Sequence, residues 1–405
     1  MSFRRLAAGA AILALVLVPA AQARSRSAFE QRLAQALRAP HVSSSQTGAI
    51  VLDLHTGQTL FAQNSRLPLR PASNEKLATT YAALTALGPS FRIETDVLGE
   101  GKQTGATWHG DLVLKGYGDP TLSAAQLVSL AHQVAFFGIK HVTGRILGDE
   151  SWFDARRTGV GWKAQFYLHE SPALSALIVN RGWTGRSETG RPALYAAQVF
   201  RSDLRHAGVT VHGGAALGVA PAGAVPLAEV DSPPVSTLVR HMDVYSDNFY
   251  AEMLMKEVGA VQGNRGSAPA GLAVTRRLLS TAGVPLTRVR MVDGSGLSLV
   301  DRWTTSGLAT LLRTMWLDPD LQPYLVPALP VAGETGTLDH RMRSGAAHGL
   351  VRAKTGTTDN SSALSGFVGD QYVFSVVENG RPVWTRNAER SQDRFAQVLA
   401  SSARG

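Results

Sequence analysis

Ser73 and Lys76 stand three residues apart, where the extended segment Arg66-Leu67-Pro68-Leu69-Arg70-Pro71 meets the apolar run Leu77 to Leu84. At helical spacing their side chains share a face, so an amine lies within reach of a hydroxyl. The start of the helix adds partial positive charge near the point where an oxyanion would form. The chemistry this permits is a serine nucleophile activated by a lysine base. The competing reading is an N-cap serine followed by a surface lysine, and an isolated Ser-x-x-Lys favours it.

Two further motifs bear on that choice. Ser246-Asp247-Asn248 precedes an apolar helix, and Lys354-Thr355-Gly356-Thr357 heads the C-terminal strands. The chain has only seven lysines, so finding two of them in these patterns, in this order, argues against coincidence.

The elements that must position these residues follow from hydrophobic periodicity. Ser27 to Leu37 reads as an amphipathic helix, and Gly48–Leu54 with Gln58–Ala62 as a β-hairpin about His55-Thr56-Gly57. From about Phe91 to Val230 glycine, proline and short strand-like runs dominate, interrupted by helical stretches at Ala124–Phe137 and Ala193–Ala207. Helices return over Val235–Met242, Asp247–Val258, Pro269–Ala282 and after Thr304. Strands follow at Ala363–Val368 and Tyr372–Val377, then a last helix over Ala388–Ala400. The expectation is an α+β fold, helices packed on an antiparallel sheet. Residues 24–90 and 231–405 would form one catalytic domain, interrupted by a β-rich insertion over 91–230.

Ser-x-x-Lys, Ser-Asp-Asn and Lys-Thr-Gly in this order resemble the penicillin-binding proteins and serine β-lactamases. From Ser73 to Ser246 is 173 residues, much longer than in class A β-lactamases. That gap, with Gly118-Asp119-Pro120 and Asp293-Gly294-Ser295-Gly296-Leu297-Ser298, resembles the class C low-molecular-mass penicillin-binding proteins, peptidase family S13. The resemblance runs from about Gly48 to Gly369 and implies a penicillin-binding/β-lactamase-like transpeptidase fold. It also implies a D-alanyl-D-alanine carboxypeptidase, with endopeptidase action on cross-links as an extension. Ser73 would be the nucleophile, Lys76 the base and Ser246 a proton relay. Asn248 would hold the substrate backbone, and Lys354 with Thr355 its carboxylate. The N–H groups of Ser73 and Thr357, beside Gly356, would form the oxyanion hole. Asp149 resembles an insertion-domain aspartate that reaches toward the stem peptide. The chain departs from the pattern at Leu299, where relatives carry an arginine, leaving Arg302 as the nearest substitute, and at Glu334-Thr335-Gly336-Thr337. The alternatives on the same residues are a β-lactamase or esterase, and a non-catalytic penicillin-binding sensor.

A neutral Lys76 at pH 7 would cost about 4–5 kcal/mol from its reference pKa unless burial or a second cation lowers that value. Lys354 would be that cation. Ser295 reads as part of a tight turn rather than a second nucleophile. Asp247 reads as a helix start, Tyr245 as core packing, and Trp152, Phe153 and Trp162 as core rather than a ligand platform. The eleven histidines show no ligand spacing, so neither metal nor cofactor is expected.

Arg4 and Arg5, the apolar run Leu6 to Pro19 and Ala21-Gln22-Ala23 read as a signal peptide over 1–23. The mature protein would then lie in the periplasm or extracellular wall space, without a transmembrane anchor. The chain has no cysteine, and 405 residues can bury a core large enough to do without disulfides. The formal charge of +9 is scattered over arginines with no basic run, so no nucleic-acid partner is expected. The expected partners are peptidoglycan peptides, with β-lactam antibiotics as covalent inhibitors.

Overall fold

The computed structural model describes residues 20–404; the basic and apolar part of the expected leader, residues 1–19, lies outside the described residues. Helix α1 (Ala20–Ala36) precedes the hairpin β1 (Thr47–Asp53) and β2 (Thr59–Gln63). The hairpin turn is closed by Asp53 Oδ1, which accepts from Thr56 N at 2.7 Å and Thr56 Oγ1 at 2.8 Å. Helix α2 (Lys76–Ala86) follows.

The chain then builds a second sheet. Its elements are β3 (Glu94–Thr104), β4 (Thr107–Gly116), α3 (Ala124–Phe136), β5 (His141–Val142), β6 (Ile146–Asp149), α4 (Pro192–His206), β7 (Thr210–Val211), β8 (Ala215–Leu217) and β9 (Val225–Asp231). The strand order is β7-β5-β4-β3-β9, with β6 paired to β4 and β8. The β3–β4 and β3–β9 pairs are antiparallel, whereas those of β4 with β5 and β6 are parallel. Val97, Leu112 and Leu114 of the sheet meet Leu130 and Val134 of α3 and Phe200 and Leu204 of α4 in a core of their own. Entry and exit of this unit lie side by side: Ile93 N donates to Ser232 Oγ, and Ser232 N to Ile93 O, both at 2.9 Å.

Helices α5 (Val235–Tyr245), α6 (Asn248–Gly263), α7 (Ala268–Thr281), α8 (Thr305–Leu317) and α9 (Gln322–Ala328) come next. The chain ends with β10 (Val351–Thr358), β11 (Ser361–Val368), β12 (Tyr372–Asn379) and α10 (Thr385–Ala403). The first sheet is antiparallel in the order β10-β11-β12-β1-β2, so the N-terminal hairpin completes a sheet begun by the C-terminal strands. Alternation along β1 sends Ile50 and Leu52 into the core shared with α2, α5, α6 and α8. It sends Ala49 and Val51 to the opposite face, against Leu33 of α1 and Phe395 and Leu399 of α10. Strand β11 is buried at all eight positions because helices cover both faces. Strand β10 is left as an edge.

Candidate active site

Ser73 lies two residues before Glu75, the N-cap of α2, rather than at the cap itself. It sits inside the 3-10 turn Ala72–Glu75, which runs directly into Lys76, the first residue of α2. Two glycines allow this turn to be hemmed in. A Cβ at Gly296 (φ +83°) would lie 1.9 Å from Ala72 O, and one at Gly356 would lie 3.0 Å from Ser73 N. Trp303 Nε1 fixes the turn from below by donating to Glu75 Oε2 at 2.8 Å, and Asn74 Nδ2 ties it to β10 by donating to Lys354 O at 3.1 Å.

Lys76 is fully buried, and its Nζ makes three contacts: Ser73 Oγ at 3.0 Å, Asn248 Oδ1 at 2.7 Å and Ser295 O at 2.8 Å. A neutral amine has two N–H bonds and one lone pair. The amide oxygen and the carbonyl can only accept, so they take the two hydrogens, and the lone pair is left facing the Ser73 hydroxyl. One face of α6 supplies both constraints. Asn248 binds the amine directly. Four residues on, Glu252 Oε1 accepts from Gly294 N at 3.0 Å and Ser295 N at 2.9 Å, fixing the loop that carries the Ser295 carbonyl. Burial lowers the Lys76 pKa to about 8, against the pull of Asp293, Asp247, Asp243 and Glu252.

Ser246 ends α5 in the left-handed region (φ 58°, ψ 37°), a conformation costly for a residue with a Cβ. Asp247 then caps α6 by accepting from Tyr250 N at 3.1 Å. Arg181, from the loop before α4, donates to Asp247 Oδ2 at 2.7 Å, so the second sheet's connections pin the motif. Burial opposes ionisation of Asp247, but hydrogen bonds from His241 and Arg181 outweigh it and hold the carboxyl below the usual range.

Lys354, also fully buried, donates to Ser246 Oγ at 2.9 Å and to Thr355 O at 3.0 Å. Burial, and after it the charge of Lys76, lower its pKa to about 7, against the pull of Asp243. Because Thr355 O faces the open edge of β10, the two-residue period of a strand turns the Thr357 N–H the same way. Thr355 Oγ1 donates to Thr337 Oγ1 at 2.6 Å. The resulting cavity of about 280 Å³ has Ser73, Ser246, Asn248, Thr355, Gly356 and Thr357 in its lining.

Some sequence expectations do not survive. Asp149 is not brought to this cleft. It is fully buried in β6, where its carboxylate accepts from Ser151 N at 2.8 Å and Ala220 N at 2.9 Å. Arg302 lines a different cavity. Tyr245 is 65 % exposed instead of packed in the core. Trp152 and Trp162 join the two units by donating to Glu257 Oε2 at 2.9 Å and Asp293 Oδ2 at 2.8 Å. The cleft also contains Leu297 and Thr337, from two of the stretches singled out in the sequence, and Glu170, Arg341 and Glu389, which carry no motif signal.

The family model described as D-Ala-D-Ala carboxypeptidase 3 (S13) matches residues 29–190 and 186–402. A D-alanyl-D-alanine carboxypeptidase of Actinomadura sp. (strain R39) is 32 % identical, over 85 % of this chain and 79 % of its own length. Carboxypeptidase DacB of Mycolicibacterium smegmatis is 31 % identical, over 94 % of this chain and 85 % of its own. Among solved structures, penicillin-binding protein 4 (dacB) of Haemophilus influenzae superposes with a TM-score of 0.81 at 22 % identity. That superposition covers 92 % of this chain and 98 % of the other, and it shows a shared fold.

Proposed function

The chain belongs to the D-Ala-D-Ala carboxypeptidase 3 (S13) family, and from that membership we propose that its Ser73 cleft hydrolyses the D-Ala-D-Ala bond of peptidoglycan stem peptides through an acyl-enzyme. The observation that carries this reading is the placement of Lys76 Nζ, 3.0 Å from Ser73 Oγ and bonded to Asn248 Oδ1 and Ser295 O, so that the neutral amine would turn its lone pair to the hydroxyl. Ser73 Oγ attacks the carbonyl carbon as Lys76 takes its proton. The tetrahedral oxyanion is held by the N–H groups of Ser73 and Thr357. The terminal carboxylate lies against Lys354 and the Thr355 hydroxyl. Ser246, bonded to Lys354, passes a proton to the departing D-alanine nitrogen and is reprotonated by the proton Lys76 took from Ser73, which returns Lys76 to its neutral form. Water activated by Lys76 then attacks the ester and frees Ser73.

Residues 91–230 act in this reading as an inserted domain that frames the cleft, supported by the Arg181–Asp247 bond and by Asn248 Nδ2 donating to Glu170 O at 3.1 Å. The protein works outside the cytoplasmic membrane, where its substrate lies; no helix among the described residues is long and apolar enough to cross a membrane. β-Lactams should acylate Ser73. The Haemophilus influenzae penicillin-binding protein 4, which shares this fold, has been solved with a bound β-lactam.

Labelling with a fluorescent penicillin, with S73A in parallel, tests the assignment. The wild type should label and S73A should not; equal labelling of the two would overturn it. D-Alanine release from a pentapeptide measures the carboxypeptidase, and cleavage of cross-linked dimers the endopeptidase. Fast, complete penicillin turnover would point instead to a β-lactamase.

A further inference from the structure

Arg70, Arg302 and Arg381 converge on one cavity of about 640 Å³ at the end of the five-stranded sheet, beside Gln46, His41 and Trp384. It shares no lining residue with the Ser73 cleft, and no carboxylate lines it. The arginine ion pairs among the described residues are made elsewhere, by Arg145, Arg157, Arg181 and Arg341. Two of the three guanidiniums are held in place by backbone carbonyls. Arg70 Nε donates to Leu299 O at 3.0 Å, and Arg302 Nη1 donates to Leu299 O at 3.0 Å and Asp301 O at 2.6 Å. Burial lowers the pKa of Arg70 and of Arg302. Arg381 adds to the effect on Arg70; Arg70, Arg290 and Arg381 add to it on Arg302, while Asp301 opposes it. Three neighbouring cations with no carboxylate in the cavity lining repel one another, and an oxyanion between them would relieve that repulsion.

The rim adds a second kind of group. Trp384 stacks on His41, with ring centroids 4.3 Å apart and planes at 22°, and is still 54 % exposed. A fixed, open aromatic face beside guanidiniums suits a ring with an apolar face and an anionic substituent. The volume falls in the range of about 300–1,000 Å³ usual for small-ligand sites. One arginine suffices for a carboxylate. Three better match a phosphate, which carries about −1.5 to −2 charge and three acceptor oxygens. We propose that this cavity binds a phosphorylated sugar, its phosphate held by Arg70, Arg302 and Arg381 and its ring laid on Trp384, with Gln46 placed to meet a hydroxyl.

Calorimetric titration of the full chain with glucose 6-phosphate tests this, with glucose, inorganic phosphate and glucuronate as comparators. Because it reads binding and not turnover, the result stands whatever the role of Ser73. Glucose 6-phosphate should bind at least tenfold more tightly than each comparator, and R381A and W384A should each weaken it at least tenfold. Both side chains are exposed, so both variants should melt like the wild type; if one does not, the other carries the test. Absence of binding, or binding that neither variant weakens, would overturn the site. Inorganic phosphate binding equally well would overturn the sugar, and glucuronate binding equally well would overturn the phosphate.

Discussion

Lys76 and Lys354 are two ammonium groups in one dry site, and burial lowers both, to about 8 and about 7. They titrate as a pair. In the proposed mechanism no neutral amine faces Ser73 below about pH 7, where both hold protons, and the cation proposed to anchor the carboxylate is lost above about pH 8, where both are neutral. Between these limits the pair shares one proton, which under that mechanism a bound carboxylate would draw to Lys354, leaving Lys76 as the base. The kcat/KM for D-alanine release should therefore be bell-shaped, with its maximum in that interval; a flat profile from about pH 6 to 10 would exclude the pair. Glu252 makes a separate prediction. E252A leaves Gly294 N and Ser295 N unheld and should slow acylation by about 10²-fold, as a misplaced catalytic group does. E252Q keeps the accepting oxygen and should recover most of the rate, a rescue not expected if the charge of Glu252 were what mattered. Glu252 was not singled out in the sequence, although the signal was there: it lies one helical turn beyond Asn248 on the same face. Arg341 and Glu389 gave no such signal, since nothing in their neighbours distinguishes them from surface residues until the chain is folded.

The site depends on how closely strand β10 lies against the turn that carries Ser73. Gly356 permits that approach, because a Cβ there would meet Pro71 O at 2.9 Å and Ser73 N at 3.0 Å. G356A should push the strand edge outward and displace the Thr357 N–H. With the Thr357 N–H in its proposed oxyanion role, D-alanine release and penicillin acylation should then both fall by about 10²–10³-fold, while the melting temperature stays near that of the wild type. Elements with strong periodicity were readable. The hairpin about Gly57, helices α3 and α4 and the strands after Ala363 lie where apolar spacing put them. The 3-10 turn at Ser73 was not, because the room for it depends on Gly296, where a Cβ would meet Ala72 O, a close approach between residues more than two hundred positions apart. Asp149, singled out by its resemblance to an insertion-domain aspartate, misled for a related reason: only the folded chain, with β6 paired to β8, shows its carboxylate spent on two backbone N–H groups.

Across the whole molecule several carboxyls are buried with few compensating charges. Burial pushes Glu252 and Glu257 up to about 8, Glu378 to about 7 and Asp119 to about 6. Each folded pKa lies above its unfolded value, so the stability these groups contribute is complete below the ordinary carboxylate range and is lost as pH rises toward 8. From about pH 7 upward the lowered Lys76 and Lys354 act in the opposite sense, because there the unfolded chain binds the extra protons, but over this range they are outnumbered by the carboxyls. The melting temperature should therefore be several degrees higher near pH 5.5 than near pH 8, and thermal melts in a series of buffers would check it; a melting temperature that rises over that range would refute it. The order of the first sheet has a consequence for timing. Strand β1 rests on β12, and the edge that completes the Ser73 site belongs to β10. As the chain leaves the ribosome N-terminus first, its nucleophile is made early but has nothing to work with until the last strands arrive. A hydrolase arranged this way stays inert through most of its own synthesis, and a chain broken off before Asn379 would carry the serine without the enzyme.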